Sequence, residues 1–269
     1  MSALPPTELG ELEAFRSLLE GMPGAHAREL GGGLCTALEA TPTSALFNRV
    51  LGLGILEPVT ERGLEEIADF YDALGVAYAI AVTPAAEPAD LPSLLGERGL
   101  AQGYAWTKFR RGVDPVDAAA AGPVVERIGP DEAPTFADVF ARAYGAPPPI
   151  RPLLERLPGL DGWHCFLARA ADRPAAAAAV FVTGEVGWLG VAGTLPELRG
   201  CGAQTALLRA RIEAARTLGC SVLVTETGQP VDGRPGPSYR NIVRAGFEPA
   251  YVRQNYLSEP GADTSGTLA

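Results

Sequence analysis

Lysine is almost missing from this chain: Lys108 is the only one in 269 residues, so nearly all the positive charge is arginine. Acidic residues outnumber basic ones, 32 to 22, for a net charge of −10. Proteins that track phosphates along a nucleic acid need a basic surface, so the charge argues against nucleic acid and none is expected as a partner. A field of this sign favours a cationic acceptor such as an amine. Histidine is nearly as scarce. His26 and His164 cannot build a His-rich metal site, and Cys35, Cys165, Cys201 and Cys220 have no CxxC or Cys/His ligand spacing. No metal is expected. No apolar run approaches the roughly 18 residues of a membrane span, and no charged-then-apolar leader opens the chain. The expectation is a soluble, cytoplasmic protein without a membrane partner.

What is present is ample material for a core. Hydrophobic residues make up 47% of the chain, and its length predicts two domains. Fraying is expected only in the first few residues and in the Ser/Gly/Thr-rich tail after Ser258. In the second half, Val124–Ile128 reads as a strand. The helix over 131–144 carries Phe136, Val139, Phe140 and Ala143 at helical spacing. A short helix over 151–157 follows, then strands at His164–Ala168, Ala175–Val182 and Val186–Ala192. A helix runs to about Leu218, with Leu207, Leu208, Ile212, Ala214, Ala215 and Leu218 inward and Arg209, Arg211, Glu213 and Arg216 outward. Gly219 stops it before the strand Ser221–Val224. A helix from Ser238 to Gly246 and a strand over 250–257 complete this half.

The first half repeats part of that order more weakly: strands at Leu34–Glu39 and Asn48–Leu53, a helix at Thr60–Leu74 ending in Gly75, and a strand at Val76–Val82. A short helix then ends in Arg98-Gly99-Leu100, where the second half has Ala245-Gly246-Phe247. The parallel predicts a duplicated fold with domains 1–120 and 121–269, joined within Asp114–Pro123.

The most specific signal is Arg199-Gly200-Cys201-Gly202-Ala203-Gln204 between a strand and a helix. Glycines allow a tight turn and close approach of a bulky anion. The first N–H groups of the helix lack internal partners and can donate to phosphate oxygens, aided by the helix dipole. The Walker pattern is absent, and so is the third glycine of a dinucleotide fingerprint, since Thr205 stands there.

Residues 190–204 (GVAGTLPELRGCGAQ) resemble the signature of the GNAT superfamily of N-acetyltransferases, Pro-x-x-Arg-Gly-x-Gly-x-Gly/Ala. Pro196, Arg199, Gly200 and Gly202 match, and Gln204 departs at the last small position. Ser238 through Gly246-Phe247 is similar to the family's penultimate helix. The resemblance implies an α/β (α+β) fold of two tandem GNAT-like domains, each a mixed, mostly antiparallel sheet flanked by helices. It implies acetyl-CoA as co-substrate. The main chain of Ala192, Gly193 and Thr194 would lie along the pantetheine arm, and the N–H groups of Arg199, Gly200, Cys201, Gly202, Ala203 and Gln204 would cradle the pyrophosphate. Ser238 and Asn241 would touch it from the later helix.

In this family an amine attacks the thioester directly, so the expected acceptor is an amine of a small molecule or peptide. Glu226, at the end of the strand beside the groove, is the first candidate base, and Glu185 the second. Many relatives carry a tyrosine where this chain has Ile242, which leaves Tyr239, with Ser238, to protonate the leaving thiolate. Cys201 has no histidine near it in sequence, which argues against an acyl-enzyme. Trp106, Trp163 and Trp188 are candidates for a pocket lining or for core packing. At the corresponding turn of the first half, Leu56-Glu57-Pro58-Val59-Thr60-Glu61 has no glycine pair and two carboxylates, so that copy is expected not to bind the cofactor. The rival reading is a non-catalytic acyl-CoA sensor or scaffold. Monomer and homodimer both remain open.

Overall fold

Eleven strands and seven α-helices occur among residues 4–116, 122–230 and 233–259, the residues described by the computed structural model. The first half contributes α1 (Pro6–Leu19), β1 (Ala25–Leu30), β2 (Gly33–Leu38), β3 (Arg49–Leu51), α2 (Glu61–Leu74), β4 (Ala79–Val82), α3 (Leu91–Glu97) and β5 (Ala101–Arg111). The second contributes β6 (Val124–Ile128), α4 (Ala133–Tyr144), α5 (Arg151–Arg156), β7 (Trp163–Ala170), β8 (Arg173–Thr183), β9 (Val186–Thr194), α6 (Ala203–Thr217), β10 (Val222–Gly228), α7 (Pro237–Arg244) and β11 (Glu248–Leu257). The order helix–three strands–helix–strand–helix–strand therefore occurs twice.

Contacts group the chain into one unit that runs to Thr107 and resumes at Tyr251, and a second unit, Lys108–Ala250. The expected junction at 120/121 falls within the span of the second unit, among residues 117–121, which lie outside the described residues. The sequence reading also assigned the strand over 250–257 to the second half. Its residues from Tyr251 instead belong to the first unit, where Gln254–Leu257 pair antiparallel with Val82–Ala79 of β4.

In the first unit, β1, β2 and β3 are antiparallel neighbours and β3 runs parallel to β4. α2 presents Leu64, Ile67 and Tyr71 to a core of Cys35, Ala37, Val50, Ile80 and Tyr256. Tyr71 stacks on Tyr78 at 4.2 Å and its hydroxyl donates to the Thr36 carbonyl at 3.0 Å.

Beside this core lies a buried ionic cluster. Arg253 of β11 donates to Glu11 through Nη1 and Nη2, at 2.6 and 3.0 Å, and to Glu8 through Nη1 at 3.2 Å. Arg49 bonds Glu11 and lies 4.2 Å from the Phe15 ring centroid, and the Tyr251 hydroxyl bonds Glu8. α1, β1 and β5 were not anticipated from sequence. The reason in α1 is plain: Glu8 and Glu11 sit on its buried face, where a hydrophobic-period search expects apolar residues.

The second unit orders its strands β6-β7-β8-β9-β10, with β5 next to β10. Pairing is antiparallel from β6 to β9 and parallel between β9 and β10. Ala175–Ala179 of β8 are fully buried. Their small side chains let helices approach: Ala176 and Ala178 pack with Leu207, Leu208 and Ile212 of α6, and α4 packs on β8 and β9. Two expectations for α6 are corrected. Leu218 is 41% exposed at the helix end, and Arg211 is buried.

Replacing Glu11 by Ala would leave Arg253 and Arg49 buried without their shared carboxylate. We expect a loss of about 3–5 kcal/mol in urea denaturation. A loss below about 1 kcal/mol would contradict the cluster.

Candidate functional site

Strands β9 and β10 stay in parallel register only from Val186–Trp188 against Val222–Val224. Past this point a side chain takes over the contact, with Thr225 Oγ1 donating to the Leu189 carbonyl at 2.7 Å. β9 then bulges. Its register with β8 shifts between Ala177 and Ala179, and Val191 takes φ +48°, a conformation costly for a β-branched residue. The strands part, and a cleft of about 720 Å³ opens between the ends of β9 and β10, the start of α6, and α7.

Two donors hold the bulge. Arg211 reaches back from α6 to the carbonyls of Ala179 (3.1 Å) and Gly190 (3.3 Å), and the Tyr144 hydroxyl at the end of α4 donates to the Ala192 carbonyl. Burial lowers the Arg211 pKa to about 9, which leaves it protonated at neutral pH, while burial pushes the Tyr144 phenol up. Gly193 has no room for a side chain, since a Cβ would stand 2.8 Å from both the Ala143 Cβ and the Tyr144 ring.

At the start of α6 the glycines are needed for backbone conformation. Gly200 has φ +85° and Gly202 φ +87°, and a Cβ on Gly202 would meet nothing closer than Pro123 at 3.8 Å. Gly202 is the N-cap and supplies no side-chain cap, and the Ala206 N–H makes the first helical bond to its carbonyl. The N–H groups of Ala203, Gln204 and Thr205 thus have no acceptor within the helix. In the first unit, by contrast, the Thr60 side chain caps α2 by accepting the Gly63 N–H at 3.1 Å.

Of the cofactor-binding candidates, Ala192, Gly193, Thr194, Arg199, Gly200, Gly202, Ala203, Gln204, Ser238 and Asn241 all line the cleft. The Gln204 side chain does more than its main chain was expected to. It donates to Ser238 Oγ at 3.2 Å and accepts from Asn241 Nδ2 at 2.7 Å, tying α6 to α7. Cys201 is not among the lining residues; its side chain packs against the α6–α7 core. Arg199 and Arg211 are the charged groups of the lining, with no carboxylate among the described lining residues.

The two catalytic candidates separate. Tyr239 lines the cleft and packs edge-on against Phe109 at 5.0 Å. Glu226 does not line it. Strand alternation puts Thr227 on the cleft side, while the Glu226 carboxylate is buried and paired with Lys108 at 3.0 Å, both side chains at most 2% exposed. Glu185 sits at the far end of β9, roughly 25 Å from Gly193 at about 3.3 Å per residue, and accepts from Ser221. Ile242, Trp106, Trp163 and Trp188 are buried and absent from the lining. No group of three potential metal ligands occurs among the described residues.

Tyr144, Arg211, Thr227 and Gly228 line the cleft without having been singled out. For Arg211 a signal existed: it lies four residues after Leu207 and four before Ala215, on the apolar stripe.

Residues 107–228 match the profile of a family described as an acetyltransferase (GNAT) domain. A search of curated proteins by sequence gave no match. Among solved structures, the chain is similar to a GCN5-related N-acetyltransferase from Kribbella flavida, with 16% identity, a TM-score of 0.69, and coverage of 97% of this chain and 98% of that one. It is also similar to a tandem GNAT protein from the clavulanic acid biosynthesis pathway, solved without AcCoA (17% identity, TM-score 0.61, coverage 97% and 90%). A third is a GCN5-related N-acetyltransferase from Sphaerobacter thermophilus (19%, TM-score 0.58, coverage 76% and 68%). At these identities the likeness is one of fold.

Gly193→Ala should force the end of α4 away from β9 and cost about 1–3 kcal/mol, the usual range for overpacking. Thermal unfolding measures it, and an unchanged midpoint would place the α4–β9 contact elsewhere.

Proposed function

We propose, taking residues 107–228 as a GNAT acetyltransferase domain, that this protein transfers the acetyl group of acetyl-CoA to an amine of a small molecule or peptide. One observation carries the reading. The uncapped start of α6, shaped by two positive-φ glycines, opens beside the parted end of β9 in a cleft whose charged lining is arginine. A diphosphate fits such a helix start through main-chain N–H donors and dipole, and Arg199 adds a full charge. The main chain of Ala192–Thr194 would run along the pantetheine arm and offer an N–H to the thioester oxygen as it gains charge. Ser238 and Asn241, pre-set by Gln204, would meet the same co-substrate from α7.

The acceptor must arrive as a neutral amine, held close to the carbonyl. Since Glu226 is locked to Lys108 and no described carboxylate lines the cleft, the amine proton leaves through water in this reading. The Tyr239 hydroxyl is the side-chain donor assigned to the leaving thiolate. The first unit is read as the degenerate copy: Thr60 already caps α2, and Glu57 and Glu61 flank that cap. A non-catalytic acyl-CoA sensor is the second reading, favoured by Ile242 being buried where many relatives carry tyrosine. Release of free thiol from acetyl-CoA with a panel of amines separates the two.

Gly202→Glu should abolish acetyl-CoA binding in calorimetry by setting a carboxylate against the diphosphate, while Glu57→Ala should change affinity less than twofold. Retained affinity in folded Gly202→Glu would remove the site. Tyr239→Phe should lower kcat by about 10²-fold, the lower range for a lost general acid, with KM nearly constant. An unchanged kcat would give the thiolate proton to solvent.

A further inference from the structure

Arg211 has no obvious reason to be where it is. It lies inside α6, on the buried face, 3% exposed, among Leu207, Leu208, Ile212 and Ala215. Burying a guanidinium is costly unless its donors are satisfied, and no described carboxylate forms a salt bridge with it. Its partners are carbonyls. Nε donates to Leu207 at 3.3 Å within the helix, and Nη1 to Ala179 and Gly190 on neighbouring strands. Ala179 and Gly190 face each other where the β8–β9 register breaks. In a regular ladder, backbone N–H groups would satisfy carbonyls at such positions; at the bulge a guanidinium from α6 does so.

The second hold, Tyr144 on the Ala192 carbonyl, lies two residues further along β9. In a trans peptide the carbonyl and the following N–H point in opposite directions. Fixing the Gly190 and Ala192 carbonyls therefore fixes the Val191 and Gly193 N–H groups. Val191 between them sits at φ +48°, a conformation that persists only when its surroundings over-determine it.

We propose that Arg211 is a positioning residue for the thioester end of the cleft. The helix whose N-terminus faces the diphosphate also reaches, through Arg211, to the bulge that presents Ala192–Thr194, with Tyr144 as the second support. This rests on the acetyl-CoA reading above and deepens it. The nucleotide half of the co-substrate should be indifferent to Arg211, and the pantetheine half should depend on it.

The test is calorimetry of wild type, Arg211→Met, Arg211→Lys and Tyr144→Phe with two ligands: acetyl-CoA, and 3′-phosphoadenosine 5′-diphosphate, which lacks pantetheine. Arg211→Met should bind acetyl-CoA about tenfold more weakly, equivalent to ~1.4 kcal/mol, with nucleotide affinity within about twofold. Arg211→Lys, which can still donate to a carbonyl, should recover part of the loss, and Tyr144→Phe should show the same selective loss in smaller degree. If Arg211→Met does not fold, Arg211→Lys and Tyr144→Phe carry the comparison. Equal weakening of both ligands, or of neither, in the folded variants overturns the inference while leaving the cofactor reading in place. Wild-type protein that binds neither ligand overturns that reading and this inference together.

Discussion

The candidate site depends on the parting of two parallel strands. As long as β9 and β10 are paired, their main-chain groups are consumed by each other. Once pairing stops at Trp188 and Val224, those groups must find other partners or face solvent. Thr225 of β10 satisfies the Leu189 carbonyl, and at the bulge that follows Arg211 and Tyr144 satisfy those of Gly190 and Ala192. The cleft is the space that results, and the start of α6 closes one side of it. A break in a sheet is thus turned into a surface of directed donors.

The two halves differ in how the start of the corresponding helix is capped. Both α2 and α6 follow a strand and a turn. In α2 a threonine hydroxyl fills the first turn, as in most stable helices. In α6 the cap is a glycine at φ +87°, which leaves the first donors without a side-chain partner. The difference amounts to a few atoms, and with it the local charge changes, from Glu57 and Glu61 in one copy to Arg199 in the other.

Much of this was legible in the sequence because the relevant constraints are local. Positive-φ turns call for glycine, so Gly200 and Gly202 stood out, and the resemblance to the GNAT signature singled out Ala192–Thr194, Ser238 and Asn241, which line one cleft. What stayed hidden was set by distant partners. Glu226 reads as a strand-end carboxylate until Lys108, far away in sequence, is found against it. Arg211 reads as a solvent-facing charge until the bulge carbonyls appear. α1 was missed because Glu8 and Glu11 are buried for the sake of Arg253, more than two hundred residues later. In the same way the return of β11 to β4 is fixed by side-chain facing: a slip of one residue would turn Arg253 away from both carboxylates.

The burial of Lys108 has an effect reaching past its partner. Thioesters slowly acylate any accessible amine they meet, and surface lysines are the common victims. Here the single lysine side chain is fully enclosed and engaged by a carboxylate. The fold therefore exposes no ε-amino group, and a thioester reaching this protein would find no lysine on its surface to acylate.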